Sequence, residues 1–157
     1  GLFNILQHSV PLEGIRVLDL FAGTGNIALE FLSRGAEEVI SVEQDRTLFA
    51  FQQRTARELQ LPNWHHVRAD VFTYLRGAGA GGGAYDIVFA DPPFALENTA
   101  QLPALVREAG VLAPDGLLII EHPKEVNMSA DPWFSKHRPY SNVHFSFFTP
   151  RTAPAAP

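Results

Sequence analysis

The sequence predicts an α/β fold, in which a mostly parallel seven-stranded sheet carries helices on both faces and ends in an antiparallel hairpin. Three observations lead to this prediction. Short apolar runs alternate with segments of helical spacing as far as Glu121, a pattern typical of parallel sheets. Turn residues separate these segments, and the helical segments are long enough to be the crossover connections that parallel strands need. Two further strand-like runs follow, joined only by Ser141-Asn142, which favours a hairpin.

The individual elements follow from apolar periodicity and from the Gly, Pro and Asn residues between them. The first residues have the spacing of the end of a helix. Strands are predicted at 15–20, 38–42, 65–69, 86–90, 116–121, 135–140 and 143–148, and helices at 27–34, 46–61, 71–75 and 100–112. Residues 77–84 are Gly-rich and lead into a strand. We interpret them as a surface loop, because a phosphate cradle would lead into a helix.

Composition limits the classes of function. The 157 residues fit one domain, which we expect at 1–150, followed by a disordered Pro/Ala-rich tail at 151–157. Without Cys there is no disulfide or thiolate metal site, and we predict no metal. Twelve basic and seventeen acidic residues give a net charge of −5, which argues against a broad electrostatic nucleic-acid binder. The start of the chain does not resemble a signal peptide, so a cytoplasmic location is expected. We also expect a monomer without membrane segments.

The apolar run 87–90 ends in the tetrapeptide Asp91-Pro92-Pro93-Phe94. Neither proline has an N–H group to donate to a strand ladder, so the chain must leave the sheet at Asp91. A carboxylate, a rigid turn and an aromatic ring therefore meet at the carboxyl end of a strand, where open α/β sheets bind ligands.

The same tetrapeptide has the groups needed to activate an amine on a nucleobase. Such an amine is a poor nucleophile, because its lone pair is conjugated into the ring. The Asp91 carboxylate and the Pro92 carbonyl are predicted to accept both amino hydrogens, while Phe94 stacks on the base. We therefore predict Asp91, Pro92, Pro93 and Phe94 as the catalytic residues.

A second ligand-binding pattern follows the first predicted strand. In Asp19-Leu20-Phe21-Ala22-Gly23-Thr24-Gly25, the glycines let the backbone pass close to a ligand. Glu43 ends the next strand, twenty residues after Gly23, and an acidic residue at that offset commonly binds ribose hydroxyls. Asp70 follows the third strand and is a candidate acceptor for an adenine amino group, with Val71 or Phe72 against the ring.

The glycine loop also matches the dinucleotide fingerprint G-x-G-x-x-A at Gly23 to Ala28. A nicotinamide or flavin oxidoreductase is therefore the main alternative. Asp19 argues against it, because a carboxylate four residues before the first glycine would repel a pyrophosphate. The same carboxylate suits a cationic amine, such as the methionine moiety of S-adenosylmethionine. A non-catalytic RNA-binding module is a further alternative.

These residues resemble the class I, S-adenosylmethionine-dependent methyltransferases that act on amino groups, and more closely the bacterial 16S ribosomal RNA (guanine-N2)-methyltransferase family. The Asp-Pro-Pro-Phe motif is shared with N6-adenine and N4-cytosine enzymes, which remain alternatives. The narrower signal is the Leu-Phe-Asn-Ile-Leu opening combined with Leu-Ser-Arg-Gly-Ala. The matching stretches cover almost the whole chain: 1–6, 17–25, 32–36, 41–43, 86–94, 120–122 and 138–148.

The resemblance implies a Rossmann-like class I methyltransferase fold and methyl transfer from S-adenosylmethionine to a guanine N2 amine of 16S rRNA or the small ribosomal subunit. It implies that the catalytic tetrapeptide holds the guanine. In the family, a basic segment precedes the Leu-Phe-Asn-Ile-Leu motif and is thought to help grip RNA. The present sequence begins at this motif. The resemblance also implies that Asp19, Gly23 and Gly25 hold the methionine end of the cofactor, Glu43 its ribose and Asp70 its adenine. The full set of predicted cofactor-binding residues is Asp19, Phe21, Gly23, Gly25, Glu43, Asp70 and Val71.

One polar stretch has no assigned role at this level. Glu121-His122-Pro123-Lys124 follows the fifth predicted strand, on the same sheet edge as the tetrapeptide. It is a candidate for contacting the RNA backbone or for lining the base pocket, and a simple polar loop is an equal alternative.

Overall fold

The structure is a computed structural model that describes residues 1–8, 10–77, 85–93 and 98–150. Most of the Gly-rich run, Phe94 of the tetrapeptide and the tail at 151–157 lie outside the described residues. The helices are α1 (Leu2–Leu6), α2 (Asn26–Ser33), α3 (Arg46–Glu58), α4 (Val71–Arg76) and α5 (Leu102–Ala109), with a 3₁₀ turn at Thr99–Gln101. The strands are β1 (Arg16–Leu20), β2 (Glu38–Val42), β3 (Trp64–Val67), β4 (Tyr85–Ala90), β5 (Leu112–His122), β6 (Phe134–Tyr140) and β7 (Val143–Phe148).

The seven strands form one sheet in the order β3-β2-β1-β4-β5-β7-β6. Strands β1 to β5 pair in parallel, β7 pairs antiparallel with β5, and β6 pairs antiparallel with β7. The predicted fold class is therefore confirmed, including the hairpin with its turn at Ser141-Asn142. Since the chain moves outward in opposite directions from β1 and β4, a topological switch point lies between these two strands.

Apolar residues alternate between the two faces of the sheet and build two cores. Leu18, Leu20, Val88 and Ile120 belong to the core that includes residues of α4 and α5. The residues between them, such as Val17, face the core that includes residues of α1, α2 and α3. Both faces of the parallel strands are covered, which explains why these strands have near-continuous apolar sequences.

The largest difference from prediction concerns the end of α5. We predicted a helix to residue 112 and a strand from 116, whereas α5 ends at Ala109 and Gly110 takes a left-handed φ of 66°. Leu112 already pairs with Tyr85, and after an irregularity Leu117 pairs with Ile87. The prediction was wrong because Ala113-Pro114-Asp115 has the composition of a turn, although these residues lie within the irregular start of β5.

Among the residues that the structure describes, none of the helices has the length and apolar character that a membrane crossing requires.

Candidate active site

The tetrapeptide begins at the carboxyl end of β4, next to the end of β1. The Asp91 N–H donates to the Leu20 carbonyl at 3.4 Å, which keeps the motif attached to the sheet for one residue more. Pro92 is buried and Pro93 is exposed. The predicted exit from the sheet therefore occurs at the switch point, where open α/β sheets place their ligands.

Asp19 is a fully buried carboxylate, with 1% of its surface exposed. The Ser41 hydroxyl donates to Asp19 Oδ2 at 3.1 Å and accepts from Trp64 Nε1 at 2.9 Å. Desolvation raises the pKa of Asp19 to about 7, the Ser41 hydrogen bond opposes this, and the charges of Asp91 and Glu43 raise it further. Among the described residues no cation forms an ion pair with Asp19. The site is thus electrostatically suited to a positive ligand group.

The glycine loop is held to β2 and α3 by hydrogen bonds. The Gly23 N–H donates to Glu43 Oε1 at 2.8 Å, and the Gly23 carbonyl accepts from Gln52 Nε2 at 2.7 Å. Glu43 Oε2 accepts from the Asp45 N–H at 2.8 Å. Gly25 has a left-handed φ of 92°, and a Cβ there would lie 2.4 Å from the Trp64 ring. Glycine is therefore required at position 25 by both conformation and space.

A cavity of about 320 Å³ opens beside this loop. It holds four of the predicted cofactor-binding residues and two of the predicted catalytic ones. Asp70 also caps α4, because its Oδ2 accepts from the Thr73 N–H at 2.9 Å. Phe21 has a φ of 59° and contacts Phe72 edge-to-face with ring centroids 6.1 Å apart. The cavity is lined by Phe21, Glu43, Gln44, Leu48, Ala69, Asp70, Val71, Phe72, Asp91 and Pro93.

A second cavity, of about 340 Å³, lies on the other side of Asp91. It is bounded by the ends of β4 and β5 and by the hairpin turn. Asp91 lines both cavities, so a single carboxylate stands where two ligands would meet. The lining residues are Asp91, Pro92, Glu121, His122, Pro123, Asn142 and Val143.

Asp91 and Glu121 form a carboxyl pair in the second cavity. Ala90 pairs with Ile120 across β4 and β5, so the next residue of each strand lies beside the other. Desolvation raises the pKa of Glu121 to about 7, and the charge of Asp91 and the hydrogen bond between the two carboxyls add to this. Asp91 is exposed as a residue, yet partial desolvation of its carboxyl raises its pKa while the Glu121 hydrogen bond opposes the rise. The two carboxyl groups therefore share a proton, and the pair keeps it to a higher pH than a solvated carboxyl group would.

The amino-acid sequence is similar to those of known proteins. The family model described as Conserved hypothetical protein 95 matches residues 1–149. The chain belongs to this family. Its relatives include YlbH of Bacillus subtilis (strain 168), which is 33% identical over 129 residues, covering 82% of this chain and 69% of YlbH. Ribosomal RNA small subunit methyltransferase D of Buchnera aphidicola is 27% identical over 151 residues, covering 94% of this chain and 75% of the relative.

Solved structures share the fold of this family member. The Escherichia coli protein yhhF superposes with a TM-score of 0.80 at 28% identity, covering 94% of this chain and 80% of yhhF. An S-adenosylmethionine-dependent methyltransferase from Mesorhizobium loti superposes with a TM-score of 0.62 at 20% identity, covering 78% and 51%, and so shares the fold alone. The Rossmann-like methyltransferase fold and the resemblance to the rRNA methyltransferases are thereby confirmed.

The structure brings most of the predicted site residues together. Phe21, Glu43, Asp70 and Val71 line the first cavity with Asp91 and Pro93. Gly23, in the same loop as Gly25, is hydrogen-bonded to Glu43 of this lining, and the charges of Glu43 and Asp91 act on Asp19. Their individual roles stay predictions, and Phe94 lies outside the described residues. Sequence reasoning missed Ser41, Gln52 and Trp64, which position Asp19 and the glycine loop. Glu121, considered only as part of a polar stretch, lines the second cavity.

Proposed function

We propose that the chain transfers a methyl group from S-adenosylmethionine to the exocyclic N2 amine of a guanine in the 16S rRNA of the small ribosomal subunit. The observation that carries this proposal is the position of Asp91 between two adjoining cavities. One cavity has the acidic lining that a cationic cofactor requires, and the other has room for a base. The family membership and the name of the Buchnera aphidicola relative support the same reaction, and an rRNA substrate implies a cytoplasmic location.

The residues around the first cavity fit S-adenosylmethionine. Desolvation raises the pKa of the buried Asp19 carboxyl to about 7, and a nearby ammonium group would favour its charged form. Around Gly23, a Cβ would meet no protein atom within 4 Å, so a ligand can approach the backbone there. Glu43 would accept from the ribose hydroxyls and Asp70 from the adenine amine. The bound cofactor supplies a methyl group made electrophilic by the neighbouring sulfonium.

The protein's part in the reaction is mainly positioning. The Asp91 carboxylate and the Pro92 carbonyl accept the two hydrogens of the amine and aim its lone pair toward the first cavity. Because Asp91 lines both cavities, the amine that it holds faces the cofactor directly. The methylated amine is acidic enough to lose its extra proton, and Asp91 or water can accept it. The base must leave its stack to enter the pocket.

The hairpin supplies cations for an RNA substrate in spite of the net charge of −5. All seventeen acidic residues lie at or before Asp131, so β6 and β7 carry none. Lys136, Arg138 and the exposed Tyr140 line a hollow of about 430 Å³ between β6 and α1. The cations of such a surface attract the phosphate groups of RNA, and an exposed aromatic ring can stack on a base. We assign the RNA backbone to this face.

The same observations weigh against a dinucleotide oxidoreductase. A bound pyrophosphate would lie near the glycine loop, where Asp19, Glu43 and Asp91 contribute mutually repulsive charges. No cation among the described residues lines the first cavity to offset them. Dinucleotide sites instead offer N–H groups and neutral glycines to the phosphates.

The direct test is Asp91→Ala with small-subunit rRNA that has not been methylated. We expect transfer from radiolabelled S-adenosylmethionine to fall by about 100-fold or more, because the amine loses its main orienting acceptor. Calorimetric affinity for S-adenosylhomocysteine should change by less than about threefold, since the acceptors at Asp19, Glu43 and Asp70 remain.

The matched control is Asp115→Ala, which removes an exposed carboxylate from the opposite end of β5. It should leave both measurements unchanged. Wild-type transfer rates in Asp91→Ala, or a methylated product other than N2-methylguanine by mass spectrometry, would contradict the proposed function.

A further inference from the structure

We infer that Glu121 is a base-reading residue, whose carboxylate accepts the N1–H of the target guanine while Asp91 and the Pro92 carbonyl hold its N2 amine. The inference rests on the proposed function and assigns the substrate specificity of the second cavity. Glu121 would thus select guanine over the other amino-bearing bases.

The geometry that carries the inference is the pairing of β4 with β5. Because Ala90 is opposite Ile120, Asp91, directly after β4, lies beside Glu121 near the end of β5 at the same sheet edge. Both line the cavity that the hairpin turn closes with Asn142 and Val143. Their carboxyl groups are hydrogen-bonded to each other, so one oxygen of each lies within hydrogen-bond reach of the other.

Guanine presents matching donors at that spacing. Its N1–H and its N2 amine belong to one amidine-like unit, with the two nitrogens attached to the same ring carbon. Two carboxyl oxygens a hydrogen-bond length apart can therefore face both donors at once. Flipped bases are commonly read in this way, through hydrogen bonds to the Watson–Crick edge.

The other amino-bearing bases do not fit a pair of carboxylates. The ring nitrogen beside the amine is N1 in adenine and N3 in cytosine, and each carries a lone pair instead of a hydrogen. An ionised Glu121 would face that lone pair without a donor, which leaves a desolvated charge unsatisfied. The arrangement therefore disfavours the N6-adenine and N4-cytosine reactions that the Asp-Pro-Pro-Phe motif by itself allows.

Proton balance follows from the same geometry. When no nucleobase occupies the cavity, the carboxyl groups of Glu121 and Asp91 share one proton in their hydrogen bond. When guanine supplies its N1–H and N2–H donors, the shared proton leaves for solvent, and both carboxylates become acceptors. The raised pKa of Glu121, about 7, makes this release accessible near neutral pH.

The test compares two RNAs whose target bases differ at two positions. Only guanine has a hydrogen on N1 and a carbonyl group at C6. Small-subunit rRNA is joined by splinted ligation from transcripts and an oligonucleotide that carries guanine or 2-aminopurine at the position mapped as methylated. 2-Aminopurine keeps the 2-amine but has a lone pair at N1. At about pH 8.5, wild-type kcat/KM should favour guanine by at least about 100-fold.

Glu121→Gln is the informative variant. Its amide can turn either the oxygen toward N1–H or the NH2 group toward the lone pair, so the preference should fall below about tenfold. Glu125→Gln makes the same chemical change on an exposed residue of the following loop and should keep the wild-type ratio. Unchanged binding of S-adenosylhomocysteine and an unchanged melting temperature in Glu121→Gln would show an intact fold.

Two outcomes would overturn the inference while leaving the proposed function in place. One is a Glu121→Gln variant that loses activity on both RNAs equally, which is what a structural role would give. The other is a wild-type enzyme that does not distinguish the two RNAs. If the wild-type protein transferred no methyl group even to the guanine RNA, the proposed function itself would fail, and the inference with it.

Discussion

At the scale of single residues, burial of the Asp19 carboxylate lowers the stability of the protein, and we expect a cationic ligand to offset this loss. Asp19 is fully buried, and among the described residues the hydrogen-bond donor to its side chain is the neutral hydroxyl of Ser41. Buried carboxylates of this kind tend to stay protonated until a ligand supplies an opposite charge. Binding residues often destabilise the empty protein in this way.

This gives a sign for the dependence of stability on pH. The pKa of Asp19 is about 7 in the folded protein, whereas the ordinary value for an aspartate is 3.8. The unfolded chain therefore releases its proton first, and the contribution of this group to the free energy of unfolding falls as pH rises from about 4 to about 7. Asp19→Asn cannot ionise, so its melting temperature relative to wild type should rise across that window and then level off.

Thermal melts at about pH 4 to about pH 8 check this, with Asp115→Asn as an exposed control. The same Asp19→Asn protein should bind S-adenosylhomocysteine at least about tenfold more weakly, because the ammonium group loses its counter-charge. A melting-temperature difference that did not vary with pH would contradict the proposed origin of the shift.

The sequence predicted Asp19 as a ligand-binding residue but gave no indication of the residues that position it. Ser41 is 22 residues away and Trp64 is 23 residues beyond Ser41, and their contacts depend on how β1, β2 and β3 align side by side. The same holds for Glu121, whose pairing with Asp91 follows from the register of β4 and β5. Motif spacing along the chain carries no information on such lateral contacts.

At the scale of elements, the glycine loop shows that two glycines of one motif are required for different reasons. Gly25 has both a left-handed φ and the Trp64 ring against it, whereas Gly23 has a left-handed φ of 60° and open space. Packing restricts position 25, and we expect the open space at position 23 to give a ligand access to the backbone.

Alanine substitutions separate these reasons. Gly25→Ala should lower the free energy of unfolding by about 3 kcal/mol or more, since the added methyl overlaps Trp64 and adds to the left-handed strain. Gly23→Ala should cost only about 1–2 kcal/mol yet weaken S-adenosylhomocysteine binding strongly. Urea denaturation and calorimetry measure the two effects. Equal stability losses, or normal ligand affinity in Gly23→Ala, would refute this division.

The elements also show where periodicity is a sufficient guide. The strand at residues 38–42 and the β7 strand at 143–148 were predicted with their observed bounds, because each is a short apolar run between clear turn residues. The start of β5 was not predicted. Its Pro114 and Asp115 are tolerated in a strand only because the ladder with β4 is irregular there, and that irregularity depends on the neighbouring strand.

At the scale of the whole molecule, charge is distributed unevenly. The carboxyl edge of the sheet gathers Asp19, Glu43, Asp70, Asp91 and Glu121, whereas the hairpin has cations and no acids. An anionic RNA is therefore expected to meet the hairpin first, and only its extruded base to enter the acidic region. The overall net charge of −5 conceals this division.

Removal of the hairpin cations should change the salt dependence of RNA binding. A Lys136→Ala/Arg138→Ala double variant would lose two phosphate contacts, each of which contributes about 0.7 to the slope of log K against log salt. The magnitude of this negative slope should therefore decrease by about 1.4. Fluorescence anisotropy with rRNA over a salt series measures this. Arg54→Ala/Arg57→Ala removes two exposed cations from α3 and should leave the slope unchanged, so an equal effect in both variants would contradict the assignment.

The chain from Trp64 through Ser41 to Asp19 has one more consequence, for how the protein can be observed. The Trp64 N–H donates to the Ser41 hydroxyl, which in turn donates to Asp19, and the indole ring lies against Gly25. We therefore expect the emission of Trp64 to respond to the charge state of Asp19. The other indole, Trp133, lies against Arg107, at 5.6 Å from its guanidinium, and away from both cavities. If Asp19 holds the cofactor as proposed, the emission of the buried Trp64 is expected to report on occupancy of the site without any attached label.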